Sequence, residues 1–324
     1  MANGADSTAV LGGATWWGYF RVARPDHWFK NVFMLAGVAA AVIYTHAAVT
    51  LELVGMVLLA FWATCCVASF NYIINEILDA PSDLSHPKKR HRPIPSGRVR
   101  IPPLQALALA FLACGLVIGW TMFAREFFIS LASLAFMGLV YNVRPLRSKD
   151  LPYVDAISES VNNPIRLCIG WFAVGALLWP PSSLLVAYWA IGAFLMTAKR
   201  YAEYRAIGDA EVAGRYRKSF RYYTEQSLLI AMIVYISCFM SMFGVLAAKY
   251  QTELLLGIPL IAVFIAWFFY LSFEPNSIVQ EPERIIHRPA FMLYSLGVFI
   301  AIVALAVVDL EPLVTWLGLQ NIHW

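Results

Sequence analysis

Nine stretches of this chain are apolar over about the twenty residues that a bilayer core demands of a helix. They lie near 29–48, 52–78, 102–122, 127–143, 154–178, 182–198, 226–247, 252–272 and 290–309. A soluble globule has no use for them, because most of a soluble surface must be polar. Of the 324 residues, 60% are apolar, and the mean hydropathy is +0.65. The expected fold class is an all-α membrane protein with nine transmembrane helices, built as a single polytopic domain over residues 1–324.

Lysine and arginine fix the expected orientation. Assigned to alternating sides, three precede or begin span one, six lie between spans two and three, and three follow span four. Seven more run from Lys199 to Arg221, and Arg284 and Arg288 precede span nine. All of these fall on one side and make up 21 of the 24 basic residues. The positive-inside rule then places the N-terminus in the cytoplasm of an inner-membrane protein and the C-terminus outside. The expected cytoplasmic parts are an interfacial segment, 1–28, and loops at 79–101, 199–225 and 273–289. Trp16, Trp17, Tyr19, Phe20 and Arg21 mix aromatics with a cation, as a short helix in the membrane interface does. The N-terminal stretch lacks a short apolar core with a small-residue cleavage site, so no removable signal peptide is expected. The five cysteines all sit in apolar runs and read as small buried hydrophobes.

The stretch NEILDAPSDLSHPKKRHRPIPSG, 75–97, carries the chemistry. Asn75, Asp79 and Asp83 recur every four residues, so each step drifts only about 40° around a helix. Pro81 disfavours helix at Ala80 and is expected to end the span there. Magnesium suits this oxygen set, since it is commonly held by one or two carboxylates together with substrate phosphates. The plain alternative is a solvated acidic helix end, but the basic loop that follows, stiffened by Pro87, Pro93 and Pro95, argues for a site. Lys88 and Arg92 are the first candidates there for phosphate oxygens. Glu76 points elsewhere, as a secondary ligand or a solvated side chain.

A second polar stripe interrupts span five. Asp155, Glu159, Asn162 and Arg166 are spaced by four, three and four residues, one helical face with Pro164 as a possible kink. Such a face turns from lipid toward the bundle interior. Asp155 and Glu159 form a second possible metal pair, with Tyr141, Arg147 and Lys149 just upstream. A Glu159–Arg166 network that only fixes packing is the competing reading. The segment 199–221 reads as a solvated amphipathic helix on an anionic surface, with Lys199 and Arg200 as the exceptions at its membrane end.

These motifs resemble those of the UbiA-type intramembrane prenyltransferase superfamily. Asn75-x-x-x-Asp79-x-x-x-Asp83 is similar to its first Asp-rich motif, and Tyr141 to Glu159 sits where the second belongs. RPDHWFKN at 24–31, HPKKRHRPIPSG at 86–97 and the spacing from Lys149 to Asp155 are similar to the decaprenyl-phosphate phosphoribosyltransferase branch, with Glu76 where that branch usually has Asp. The resemblance implies a helical bundle around a central cavity open to the cytoplasm. It also implies Mg²⁺-dependent transfer of 5-phosphoribose from phosphoribosyl diphosphate to a polyprenyl phosphate.

Asn75, Asp79, Asp83 and Asp155 are then the expected metal ligands. Asp79, Asp83, Lys149, Asp155 and Glu159 are the expected catalytic set. Lys30, Asn75, Lys88, Arg92, Tyr141, Arg147, Asn162, Arg166 and Lys199 are the expected substrate-binding residues. A lipid phosphate is already an anion and needs no general base, only added positive charge, and the surplus cations favour it as acceptor. The runner-up is transfer of a polyprenyl group from its diphosphate to an aromatic acceptor such as 4-hydroxybenzoate. A non-enzymatic lipid transporter is third, because transporters keep ionisable groups near the midplane and these crowd one end. The expected partners are the polyprenyl lipid, lying in an apolar lateral groove, a phosphoribosyl or prenyl diphosphate, and the bilayer. A homo-oligomer is compatible with the sequence, and nucleic acid is not expected.

Overall fold

The computed structural model describes residues 15–84, 89–275, 277–280 and 288–310, and every regular element among them is helical. Helix α1, Trp16–Ala23, starts at Thr15, whose hydroxyl accepts the Gly18 N–H at 3.2 Å. Trp16, Trp17 and Phe20 are exposed on it. Arg24, with φ 52°, turns the chain into a 3₁₀ helix, Pro25–Met34, that runs on into α2, Leu35–Thr45. Then follow α3 (Leu51–Asp83), α4 (Ile101–Met122), α5 (Arg125–Asn142), α6 (Val154–Ser160), α7 (Asn162–Ala173) and α8 (Ser182–Ile207). The chain continues through α9 (Ala210–Tyr216), α10 (Glu225–Tyr250), α11 (Ile258–Ser272) and α12 (Pro289–Leu305).

Six helical stretches among the described residues are long and apolar enough to cross a bilayer: Trp16–Thr45, Leu51–Pro81, Ile101–Met122, Ser182–Ile207, Glu225–Tyr250 and Thr252–Ser272; α12 is a shorter apolar helix. Three boundaries differ from the sequence expectation. Helix α3 passes through Pro81 and ends at Asp83. Proline removes its own hydrogen bond to the carbonyl four residues back, but the helix resumes beyond it, and Leu84 N–H reaches the Ala80 carbonyl at 3.3 Å. Asp83 therefore shares a helix with Asn75 and Asp79. The region expected as span five is two helices broken at Val161. Pro164 explains the place, since its ring clashes with the carbonyl four residues back, that of Ser160. Helix α8 runs to Ile207, so Lys199, Arg200 and Glu203 belong to a membrane helix and not to a separate loop.

Two apolar cores divide the bundle. One joins residues of α1 to α7, centred on Phe127, Leu131, Leu134, Trp171 and Phe172; the other joins α8 to α12. In the second, Ala187, Ala190, Ala193 and Ala198 of α8 are buried with Met232, Tyr235 and Phe239 of α10, small residues that let helix backbones approach. Helix α2 crosses α7 still more closely. A Cβ on Gly37 would lie 1.9 Å from the Leu167 carbonyl oxygen, and one on Gly170 would lie 1.9 Å from that of Met34. This crossing seats the Pro25–Met34 helix against α7. Cys65, Cys66 and Cys168 are buried and unpaired as disulfides, whereas Cys114 is exposed on α4.

Candidate active site

The polar residues gather around the segment between α5 and α6. Lys149 is its centre. Its ammonium donates to Asn75 Oδ1 at 3.0 Å, Asp79 Oδ1 at 2.6 Å and Asn142 Oδ1 at 2.9 Å. Burial pushes its pKa below the ordinary lysine value, against the pull of Asp79. Arg147 Nη2 donates to the same Asp79 oxygen at 2.9 Å, and its Nε donates to Asp150 at 3.1 Å. Lys218 reaches Asp150 at 3.3 Å. One turn further along α3, Asp83 accepts from Arg92 Nη1 at 2.7 Å. Glu76, read as solvated or secondary, is instead buried and accepts the Ile94 N–H at 3.4 Å. It ties the basic loop to α3. Lys88 lies outside the described residues.

A second cluster stands on the other side of the same segment. Asp155 is completely buried. Its Oδ1 accepts from the Tyr223 hydroxyl at 2.6 Å and the Ala156 N–H at 2.9 Å. Its Oδ2 accepts from Arg200 Nε at 3.2 Å and Ser219 Oγ at 3.2 Å, and Arg217 Nη2 is 3.1 Å away. Burial, then the Asp155 charge, raises the Tyr223 phenol above the ordinary tyrosine range, which keeps it a donor. Arg200 is 3% exposed and also bonds Glu159 Oε2 at 2.9 Å and Glu203 Oε2 at 3.1 Å. Tyr141 donates to Glu159 Oε2 at 2.8 Å and accepts from Arg217 at 3.0 Å. Arg217 Nη2 also approaches the Lys149 carbonyl, at 3.5 Å. Asp79 and Asp155 are thus three links apart, through the side chain and backbone of Lys149 and then Arg217.

The expected stripe on span five does not act as one. Asp155 and Glu159 turn to α8, whereas Arg166, beyond the break, donates to Asn31 Oδ1 at 3.0 Å. Asn162 bonds the Glu159 carbonyl at 3.0 Å, and its own Oδ1 is buried with no partner. Lys199 stands 4.0 Å from Glu203. Lys30 Nζ meets His27 Nδ1 at 2.9 Å. Sequence reasoning passed over Asn142, Glu203, Arg217, Ser219 and Tyr223, and left Arg200 at the margin of a solvated helix. The signal was present for two of them: Arg200 and Glu203 sit three residues apart at the end of an apolar run, where an uncompensated charge is expensive. Ser219 and Tyr223 carry no local mark, since only tertiary folding brings them to Asp155.

The first cluster offers oxygen donors of the kind that Mg²⁺ takes. Three side-chain oxygens, from Asn75, Asp79 and Asn142, converge on one ammonium, and hard oxygen donors around a cation are what Mg²⁺ requires. Among the described residues no three His, Cys, Asp or Glu side chains gather as a metal cage, so substrate oxygens would complete the shell. An apolar lateral groove of about 470 Å³ opens between α6 and α10, lined by Tyr153, Ile157, Ile230, Ala231, Val234 and Tyr235.

The pattern of the UbiA prenyltransferase family matches residues 31–280. A decaprenyl-phosphate phosphoribosyltransferase of Mycolicibacterium smegmatis is 34% identical over 223 residues, 65% of this chain and 64% of that protein, so the matched part spans under two thirds of this relative. One of the same name from Mycobacterium tuberculosis H37Rv is 28% identical over 90% of this chain and 94% of that protein. Among solved structures, a UbiA homolog from Archaeoglobus fulgidus bound to DMAPP and Mg²⁺ superposes with a TM-score of 0.63 at 19% identity, covering 87% of this chain and 98% of that one.

Proposed function

Since this chain belongs to the UbiA prenyltransferase family, we propose that it transfers 5-phosphoribose from phosphoribosyl diphosphate to a polyprenyl phosphate and releases diphosphate, with Mg²⁺ as cofactor. It is a multi-pass membrane protein. We infer nine crossings, with α5 and the α6–α7 pair as spans four and five, one domain, the N-terminus cytoplasmic and the C-terminus outside the inner membrane.

The observation that carries this reading is the excess of cations over a single diphosphate's needs. Arg92, Arg147 and Lys149 already stand on Asp79 and Asp83, and Lys30 and Arg166 stand apart from them. In the reaction an oxygen of the lipid phosphate forms the bond to C1 of ribose. The C1–diphosphate bond breaks with its electron pair on the leaving group, so no proton has to move. Magnesium, when bound, neutralises the charge that builds on the diphosphate. Asn75, Asp79 and Asp83 would hold the metal. Lys149, Arg147 and Arg92 are released from their carboxylates to phosphate oxygens, where fixed positive charge stabilises the departing anion. Glu159 and Tyr141 shape the cavity wall beside Asn162 and Lys199. Asp155 anchors Arg200 and Arg217 rather than the metal, because its oxygens already receive five donors.

Purified protein is incubated with labelled phosphoribosyl diphosphate and polyprenyl phosphate, with and without Mg²⁺, beside prenyl diphosphate and 4-hydroxybenzoate. A labelled lipid from the first pair, dependent on Mg²⁺, supports the assignment. Product from the second pair alone replaces it with aromatic prenylation.

A further inference from the structure

Side chains three residues apart eclipse one another on a 3₁₀ helix. Along Pro25–Met34 that step brings Arg24, at the N-cap, into line with His27 and Lys30. His27 is buried, and its ring nitrogens face Arg24 Nη2 at 2.5 Å and Lys30 Nζ at 2.9 Å. A neutral imidazole has one lone pair and one N–H, and neither guanidinium nor ammonium accepts a hydrogen bond. One of the two contacts therefore sets donor against donor, whichever tautomer is present. Asp26 Oδ2 is 3.4 Å from His27 Nε2, but its side chain is 67% exposed. An anion entering among the three groups removes the conflict, since it accepts from each.

A second observation points the same way. Arg92, Arg147, Lys149, Arg200 and Arg217 each have a carboxylate within hydrogen-bond reach. Among the described residues Arg24 and Arg166 have none within 4.0 Å. Arg166 meets only neutral oxygens, Asn31 Oδ1 at 3.0 Å and the Asn162 carbonyl at 3.5 Å. Both arginines are half-buried with no carboxylate in reach, which leaves their charge available to an anion that arrives from outside. Their position is fixed firmly. Trp28 Nε1 donates to Ser69 Oγ at 2.9 Å, Ser69 bonds the Ala23 carbonyl at 2.9 Å, and Asn31 is buried against Cys65. The Arg24 guanidinium lies 5.7 Å from the ring centre of Tyr72, which is one turn of α3 before Glu76 and two before Asp79.

The flank of the same helix is apolar and open, with Phe29, Val32 and Phe33 exposed. The α6–α10 groove offers apolar walls too, but the nearby cations, Arg200 and Arg217, are held by Asp155 and Glu159.

We propose that Arg24, His27, Lys30 and Arg166 form the site for the phosphate of the lipid acceptor, a polyprenyl phosphomonoester whose chain leaves along Phe29, Val32 and Phe33. The two phosphate-bearing substrates are thereby sorted by charge. The diphosphate arrives with a metal and tolerates carboxylates; the lipid phosphate arrives bare and is received where neither arginine is already held in a direct ion pair among the described residues. This rests on the phosphoribosyl transfer reading and extends it.

The test measures binding and turnover separately. In detergent, polyprenyl phosphate binding is followed without donor for wild type, Arg24→Gln, Arg166→Gln, the charge-keeping Arg24→Lys, and Ala231→Trp, which fills the α6–α10 groove. Steady-state kinetics are then run for both substrates. Each glutamine variant is expected to weaken lipid binding and raise the lipid KM about tenfold or more, the worth of a lost charge-assisted hydrogen bond. The phosphoribosyl diphosphate KM stays unchanged, Arg24→Lys recovers part of the loss, and Ala231→Trp leaves lipid binding intact. A rise confined to the diphosphate KM assigns these cations to the donor's phosphates and overturns the proposal. So does loss of lipid binding in Ala231→Trp with none in the glutamine variants. A wild type that binds polyprenyl phosphate but makes no labelled lipid from it defeats the transfer reading alone, because the binding series still reads the site.

Discussion

Asp79 and Asp155 carry the same carboxylate and both pair with basic side chains, yet their surroundings differ in kind. Asp79 keeps 18% of its side chain exposed, and its partners Arg147 and Lys149 are 18% and 10% exposed. Asp155 keeps none, and Arg200 beside it keeps 4%. A partly open pair can exchange one partner for another at small cost, because water and substrate compete for the same groups. A sealed pair cannot, since breaking it leaves a charge in a poor solvent. On the proposed reading, the partly open acid is the one a ligand can rearrange, and the sealed acid holds its neighbours still.

The largest expected effect tests the open member. Asp79→Asn should lower transfer about a thousandfold, the loss of an electrostatic group aimed at developing charge, with the thermal unfolding midpoint near wild type. Normal turnover by this variant would remove the metal and diphosphate role altogether. Asp155→Asn should do the reverse. Breaking its buried ion pairs should cost about 3 kcal/mol of stability, read as a lowered unfolding midpoint, with residual transfer by the molecules that stay folded. If Asp155→Asn instead melts like wild type and is inactive, the distinction between the two acids fails and Asp155 joins the chemistry.

The sequence exposes the open cluster better than the sealed one for a physical reason. Asn75, Asp79 and Asp83 advertise themselves through helical spacing, and Lys149 and Arg147 lie close behind a span. The sealed cluster is assembled from Asp155 on α6, Arg200 on α8, and Arg217, Ser219 and Tyr223 around the 3₁₀ helix Lys218–Tyr222, three places that no local period links. The fold is legible to the same degree. Apolar runs mark out α3, α4, α8 and α10 well, because crossing a bilayer imposes length and composition. Pro164 marks a kink in the sequence, and the break falls earlier, at Val161, because proline disturbs the turn before it. Pro81 reads as a stop for α3, yet the helix continues past it to Asp83.

A smaller effect sharpens the comparison from within the sealed cluster. The Tyr223 hydroxyl donates to Asp155 Oδ1 and accepts the Tyr153 N–H at 2.5 Å. Tyr153 has φ 63°, a positive value that is unusual for a bulky residue. Tyr223→Phe leaves one buried acceptor short of a donor and one N–H short of an acceptor, at about 2 kcal/mol. Chemical denaturation of the solubilised protein should show that loss, with the KM for phosphoribosyl diphosphate unchanged. A raised KM together with full stability would mean that Tyr223 touches substrate.

The smallest expected effect is the most discriminating. Ser219 gives Asp155 Oδ2 one hydrogen bond at 3.2 Å and accepts one from Arg217 Nε at 3.0 Å. Ser219→Ala removes both, yet Arg200 and Arg217 still neutralise the carboxylate, so the loss should be about 1 kcal/mol, the ordinary worth of a hydrogen bond. Nothing on Asp79, Asp83, Lys149 or Arg92 changes, and transfer should run at the wild-type rate. Because the substitution is too mild to unfold the bundle, a large fall in turnover here could not be blamed on stability. It would mean that the position of Arg217, two links from Asp79 through Lys149, sets the reaction rate, and the sealed cluster would then be part of the catalytic machinery and not its frame.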